Sequence, residues 1–406
     1  METKITKITA EEIKDSRGNP TLKVKVFVGN VEDDFSDPSG ASTGIHEAHE
    51  LRDLDGRGVQ NAIKEVDSVI APALIGLNVL NQNEIDKRML ELDGTTNKDR
   101  LGGNSMIGVS IACAKVAAKV SGVEVYEHLR TLAEIKPSRK IPFLYMNLIN
   151  GGKHAKDGLA FQEYHIVPDT ENIKEAIEIG ISVDNTLKEI ILKDLGEESV
   201  IMGDEGGFAP QISDIRKPLF YLREAIKQND LEGKVRLALD VASSSFYKNY
   251  FYKIDGRDVS KEELLGIYIS LIKEFNLLSI EDPFNEEDFE SFAKLKEQND
   301  GLYVVGDDLT VTNVLLLKKA IENKSINAMI IKPNQIGTLS ETLETMKLAR
   351  ENDIELIVSH RSGETEDSFI ADLAYAFGCF GLKAGAPTKP ERMVKYNRLI
   401  KISTNL

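Results

Sequence analysis

The chain has 406 residues, 41% of them hydrophobic, and a formal charge of −16, so it can hold two domains and is not a general nucleic-acid binder, which needs clustered Lys and Arg against phosphates. Its two cysteines, Cys113 and Cys379, have neither metal-like nor redox-like spacing, which excludes a disulfide framework and a thiolate metal site. The N-terminal METKITKITAEEIKD lacks an apolar signal core, and no apolar stretch nears the roughly 20 residues of a membrane span, so a soluble cytoplasmic protein is expected.

In chain order, TLKVKVFV (21–28) alternates polar and apolar residues as a half-exposed antiparallel strand does. DPSGASTG follows, and its small residues Ser39, Gly40, Ala41, Ser42 and Thr43 suit either a solvated turn or a lid that closes over a ligand. From Gly58 the pattern turns helical, through GVQNAIKEVDSVIAPAL and SMIGVSIACAKVAAKV. KPSRKIP (136–142), with two prolines and three basic residues, marks the domain junction, giving an α+β cap over 1–135 and a second domain over 136–406. In that second domain strand-like runs alternate with amphipathic helices such as SKEELLGIYISLIKEF, where Ser260 and Glu263 have capping-box spacing.

Five of its apolar runs end on a charged residue: Asp240, Glu281, Asp307, Lys332 and His360. They fall 41, 26, 25 and 28 residues apart, and a strand, helix and two loops need roughly 25 to 40. The class is therefore α/β, with repeated βα units. If each run is a buried parallel strand, its last residue lies at the C-terminal rim where barrel enzymes keep their chemistry.

Asp240, Glu281 and Asp307 offer hard oxygen ligands, which suit Mg²⁺ better than zinc. Asp282 and Asp308 directly follow two of them, and spacing does not say which member of each pair would bind. Lys332 would stand beside that cation and can act as a base if its pKa falls from about 10.4 to between 7 and 8, a change of about 4 kcal/mol. One unit charge about 4 Å away at an effective dielectric near 20 supplies that much. Lys383, in GLKAGAP, is a candidate second cation. SHRSG sets His360, Arg361 and Ser362 in a row, suited to phosphate or carboxylate. MGDEGGFAP and NGGKHAKDGLAFQEY add Glu205, His154, Gln162 and Glu163, and Glu163 with Glu205 could pair as a proton donor.

Together PSGASTG, ELRD, INGGKHA, QEY, GDEGGFAP, ALDVASS, SIEDPF, GDDLTVTN, KPNQIGT, SHRSGETED and LKAGAP resemble the enolase family, in family order and over nearly the whole chain. The resemblance implies an α+β cap on a TIM-like β/α barrel with irregular first strands, and interconversion of 2-phosphoglycerate and phosphoenolpyruvate (phosphopyruvate hydratase). It implies Asp240, Glu281 and Asp307 as ligands of one Mg²⁺, and Ser42 as a lid ligand of a second that arrives with substrate. It implies Lys332 as the base at C2, and Glu205, assisted by Glu163, as the acid at the C3 hydroxyl. Lys383 would stabilise the enolate, while His154, Gln162, His360, Arg361 and Ser362 would contact substrate. Two readings compete with this one: a superfamily paralogue acting on another carboxylate, and an enolase-like binding protein with weak turnover.

Departures from the family pattern cluster elsewhere. Glu11 stands where the family has Arg, and Lys23 where an acid is usual, both at the family's dimer interface. The implied partners are Glu391 and Lys401, which sets Glu against Glu and Lys against Lys and predicts a homo-oligomer with an altered, weaker interface.

Overall fold

The computed structural model describes residues 2–41, 43–154 and 158–404. The cap opens with an antiparallel sheet of β1 (Lys7–Lys14), β2 (Pro20–Val28) and β3 (Val31–Ser36) in the order β1-β2-β3. The alternation in PTLKVKVFV buries Leu22, Val24 and Val26 against the helix Gly103–Ser121, which is buried along nearly its whole length. Gly108 permits that contact, because a Cβ there would lie 2.7 Å from Val24 Cγ2. The helical stretch after Gly58 is interrupted: Gln60–Glu65 is α-helical, Val66–Ile70 widens to a π turn, and the α geometry resumes at Ala71–Leu74 with Pro72 in its first turn. Proline there lacks the N–H that an uninterrupted ladder would need.

Beyond the junction lie β4 (Phe143–Asn150), β5 (Glu163–Pro168) and β6 (Val235–Asp240), then a small antiparallel sheet of β7 (Tyr247–Lys248), β8 (Phe251–Ile254) and β9 (Arg257–Val259). β10 (Ser279–Glu281), β11 (Tyr303–Gly306), β12 (Ala328–Ile331), β13 (Glu355–Ser359) and β14 (Gly381–Lys383) follow. The eight strands β10-β11-β12-β13-β14-β4-β5-β6 close into a barrel. Its irregularity is confined to the start, where β5 runs antiparallel to both β4 and β6. The hairpin sheet β7–β9 also accounts for the long interval between Asp240 and Glu281, since it is inserted between β6 and the helix Lys261–Phe275. That helix carries the expected capping box of Ser260 and Glu263.

The floor of the barrel is apolar, built from Tyr145, Val167, Ala238, Leu278, Val305, Ala328, Ile330, Ile357 and Phe380. The cap is fastened over the other end by buried polar contacts. Asp86 accepts from Ser110 Oγ (2.6 Å) on the cap side and from Ser340 N (2.9 Å) and Oγ (2.6 Å) on the barrel side. Lys98 Nζ bonds Glu341 at 2.8 Å, and Lys115 Nζ bonds Asp367 at 2.7 Å. A β-bridge between Ser39 and Gly363 then lays the PSGAS segment against the barrel rim.

Asp184, in the helix Ile173–Leu195, is buried with Oδ1 unpaired, and burial pushes its carboxyl up to about 7 despite Lys188. A folded value above the unfolded one favours folding only while the group is protonated. The penalty is absent below about pH 4, grows as pH rises to 7, and is constant above. Asp184→Asn should therefore raise stability by on the order of 2–4 kcal/mol at pH 8 and by little at pH 4, measured by chemical denaturation at both.

Candidate active site

The charged strand ends converge as expected. Asp240, Glu281 and Lys383 are the last residues of β6, β10 and β14, while Asp307, Lys332 and His360 lie one residue past β11, β12 and β13. Register sets Glu163 beside Asp240 and Asp240 beside Glu281 on neighbouring strands. His154, Gln162, Glu163, Glu205, Asp240, Asp307, Lys332, His360, Arg361, Ser362 and Lys383 all line one cavity at the mouth. Glu281 joins the same group through Lys383, and Ser42 lies outside the described residues.

Lys383 is the hub of one wall. Its buried Nζ lies 2.8 Å from Asp240 Oδ2, 3.0 Å from Glu281 Oε1 and 3.2 Å from Glu163 Oε2. Burial opposes the charged forms, yet Lys383 draws Asp240 down to about 2 and is itself held well above its usual range. Glu281 receives too little compensation: burial, Asp240 and Asp307 leave it well above the carboxylate range. Lys332 bonds Asp307 Oδ2, and Gln335 Nε2 donates to Asp307 Oδ1 at 2.9 Å. Burial alone would lower Lys332, but Asp307 and Glu281 outweigh it and push the ammonium up to about 12. A cation engaging Asp307 would weaken this pairing and lower Lys332 towards the range a base needs.

The ambiguity within the EDP and GDD pairs has a physical resolution on one side. Asp282 Oδ1 accepts the N–H of Asp307 (2.9 Å) and its Oδ2 accepts the N–H of Asp308 (2.7 Å). Its carboxylate is spent on shaping the turn after β11, which leaves Glu281 facing Lys383. Asp282, Asp307 and Asp308 form the tighter acidic trio, whereas Lys383 and Lys332 stand between the carboxylates of Asp240, Glu281 and Asp307. Two ammonium groups held by hard oxygens mark positions suited to a divalent cation, and the donor set fits Mg²⁺.

The other wall carries the carboxyl pair. Glu205 sits in the loop GDEGG, which crosses β4 closely enough that a Cβ at Gly207 would come 2.8 Å from the Leu148 carbonyl carbon. Asn147 Nδ2 donates to Glu205 Oε2 at 3.0 Å, and His154 Nδ1 stands 3.5 Å from Glu163 and 3.7 Å from Glu205. The two carboxyls do not rise together. Burial and the neighbouring Glu205 push Glu163 up to about 8, while His360 and His154 overcome burial and hold Glu205 low. The two carboxyls interact, so a proton held here belongs to the pair, with Glu163 the member that favours it.

Arg361 donates to Asn334 Oδ1 (2.7 Å) and to both oxygens of Glu47 (2.9 and 3.1 Å). Ser362 Oγ accepts from Ala41 N at 2.6 Å, so the SHRSG and PSGAS loops touch. Sequence reading missed Glu47, Asn147 and Arg392, whose buried guanidinium contacts His360. It named Asp282, as the second acid of EDP, but not its role in bonding the backbone of Asp307 and Asp308.

A β/α barrel with hard carboxylates, two lysines and a carboxyl pair around one mouth defines a metal-dependent acid–base enzyme. Residues 5–129 match the family description "Enolase, N-terminal domain" and residues 138–406 match "Enolase, C-terminal TIM barrel domain". The chain is 47% identical to Enolase of Methanocaldococcus jannaschii over 405 residues, covering 98% of this chain and 95% of that protein. It is 45% identical to Enolase of Methanopyrus kandleri (99% and 96% covered) and 44% identical to Enolase B of Dictyostelium discoideum (99% and 95%). The chain belongs to the enolase family.

The two acids of EDP should separate experimentally. Glu281→Gln should weaken Mg²⁺ binding by about 100-fold in calorimetric titration and leave the apo protein as stable or more so, because a poorly compensated buried acid is removed. Asp282→Ala should instead cost about 2–4 kcal/mol of stability, from two backbone N–H groups left unpaired.

Proposed function

We propose that the protein interconverts 2-phosphoglycerate and phosphoenolpyruvate, as a Mg²⁺-dependent phosphopyruvate hydratase. The observation that carries this reading is the placement of base and acid. Lys332 follows β12 and Glu163 begins β5, four positions apart in a ring of eight strands, so the two groups face one another across the mouth. A β-elimination needs that arrangement: a proton leaves C2 towards one wall while the hydroxyl leaves C3 towards the other.

In this reading Lys332 takes the C2 proton. Glu205, assisted by Glu163, supplies a proton to the departing hydroxyl. Lys383 places a fixed positive charge where negative charge grows on the substrate carboxylate. Arg361 and Ser362 hold the phosphate, with His360, His154 and Gln162 orienting the rest. Mg²⁺ held by Asp240, Glu281 and Asp307 would supply further positive charge and compete with Lys332 for Asp307, and a second ion would enter with substrate beside Ser42. Support comes from the family membership and from a donor set intact at every implied position outside Ser42.

The subunit contact is the altered part. Glu11 and Lys23 lie directly opposite each other in the β1·β2 ladder, and Lys23 Nζ is 3.4 Å from Asp34. The exchange of signs thus preserves a pair within the chain while changing what faces Glu391 and Lys401 of a second copy. We place the protein in the cytoplasm; among the described residues no single helix is long and apolar enough to cross a membrane.

With Mg²⁺ and 2-phosphoglycerate, the protein should form phosphoenolpyruvate, followed by its ultraviolet absorbance; no turnover by folded, metal-bound protein would sink the reading. Lys332→Ala should lose C2 proton exchange at least about 100-fold, while Glu205→Gln should spare exchange more than dehydration. Equal losses would mean the roles are misassigned. By light scattering at micromolar concentration the chain should dimerise weakly, and Glu11→Arg with Lys23→Glu should tighten the dimer; a compact wild-type dimer counts against the altered interface.

A further inference from the structure

Arg392 is 0% exposed and is the largest fully buried side chain described. It stands on the helix Pro390–Ser403, outside the barrel wall, and its guanidinium reaches both loops that carry the proton-donor side of the site. Nη1 donates to Arg361 O at 2.8 Å and contacts His360 Nδ1; Nη2 donates to Ser362 O at 2.7 Å and to Asp204 O at 3.2 Å. One turn earlier, Lys389 Nζ donates to Gly203 O (3.0 Å) and Asp204 O (3.1 Å), the carbonyls just before Glu205.

A guanidinium has only N–H donors and stays charged at any working pH. His360 Nδ1, facing it, must therefore be the bare nitrogen that accepts. A neutral imidazole then carries its proton on Nε2, whose carboxylate neighbour is Glu205 Oε2 at 3.3 Å, close but not aligned as a full hydrogen bond. The opposite tautomer would set N–H against N–H at Arg392 and a lone pair against a carboxylate at Glu205. The doubly protonated ring keeps the first of those clashes. The charged groups that act on the ring are Glu205, Arg392 and Glu364.

We propose that Arg392 is a positioning residue that locks His360 in its Nε2–H tautomer and so aims one proton at Glu205. Glu205 then accepts from Asn147 and faces the His360 Nε2–H, and both favour its ionised form within the carboxyl pair. The catalytic consequence rests on the reading of Glu163 and Glu205 as the acid pair; the tautomer does not. Burial together with Arg392 keeps the ring neutral, with its pKa down at about 4, so the lock should hold across the working range.

The chain has six histidines, few enough to resolve by ¹⁵N NMR of deuterated protein labelled at histidine and assigned with His360→Gln. His360 should show a bare Nδ1 and a protonated Nε2 from pH 5.5 to 9. Arg392→Met should release it to a mixed or reversed pattern, and Arg392→Lys, which keeps a donor-only cation, should hold the Nε2–H form. A protonated Nδ1 in the wild type overturns the proposal even if neither variant folds, and so does an unchanged pattern in folded Arg392→Met. In kinetics, Arg392→Met should slow dehydration about 100-fold while C2 proton exchange falls far less, with Arg392→Lys between. If the tautomer responds as stated but both rates fall together, the lock stands and the acid-pair reading fails.

Discussion

The mouth of the barrel buries more negative charge than it can hold. Glu163, Glu205, Asp240, Glu281, Asp282, Asp307 and Asp308 are all buried there, against Lys332, Lys383 and Arg361. An isolated buried carboxylate is prohibitive, and two at 4 Å repel by about 4 kcal/mol even at an effective dielectric of 20. Part of the surplus is met within the chain: Lys383 compensates Asp240 and Lys332 pairs with Asp307. Two backbone N–H groups donate to Asp282, but burial and Asp307 still hold it well above the carboxylate range, as burial and neighbouring acids hold Glu281 and Asp308. A cation at the mouth would relieve that repulsion, and the strand register alone already sets Glu163, Asp240 and Glu281 together.

The same constraint governs the base. Lys332 is bound to Asp307 by a charge pair that raises its pKa, so the residue that would take a proton is disarmed by the residue that would hold the metal. Any cation that engages Asp307 weakens that pair and adds repulsion towards the ammonium, and both effects lower Lys332 in the direction catalysis needs. On the proposed assignment, metal binding and activation of the base would be one electrostatic event, with the lysine neutral only when the charge that stabilises the product is present.

How much of this was legible in the sequence follows from how local each feature is. Asp240, Glu281, Asp307, Lys332 and His360 could be read because each ends an apolar run and the runs recur at nearly constant intervals, a one-dimensional trace of the barrel ring. The exception, the long step from Asp240, reflects the hairpin sheet β7–β9, whose short strands carry no period long enough to register. The π turn at Val66–Ile70 was read through as helix because it keeps the apolar pattern and alters only the winding. Arg392, Asn147 and Glu47 left no trace: each acts on a group dozens to hundreds of residues away, and a buried arginine in a helix reads as an ordinary surface charge. The pairing of Glu163 with Glu205 was legible, but not which of the two would rise, because the side chains that distinguish them, His360, His154 and Asn147, come from the loop after β13, the loop after β4 and β4 itself.

The C-terminal helix joins these two scales. Lys389, Arg392 and Lys395 recur every three residues along its inner face, and Lys395 Nζ bonds Glu364 and the Thr365 carbonyl just beyond SHRSG. That face therefore sets the backbone of both loops on which His360 and Glu205 ride. Glu391, the position implied to meet Glu11 of a second copy, is adjacent to Arg392 in sequence, with its carboxylate 3.8 Å from Arg392 Nε. A change in what Glu391 meets outside the chain is separated from the histidine tautomer by a single side chain. A shift of this helix would carry with it the guanidinium that bonds the carbonyls of Arg361, Ser362 and Asp204, so on the proposed reading a subunit contact at Glu391 would be coupled to the loops that bear His360 and Glu205.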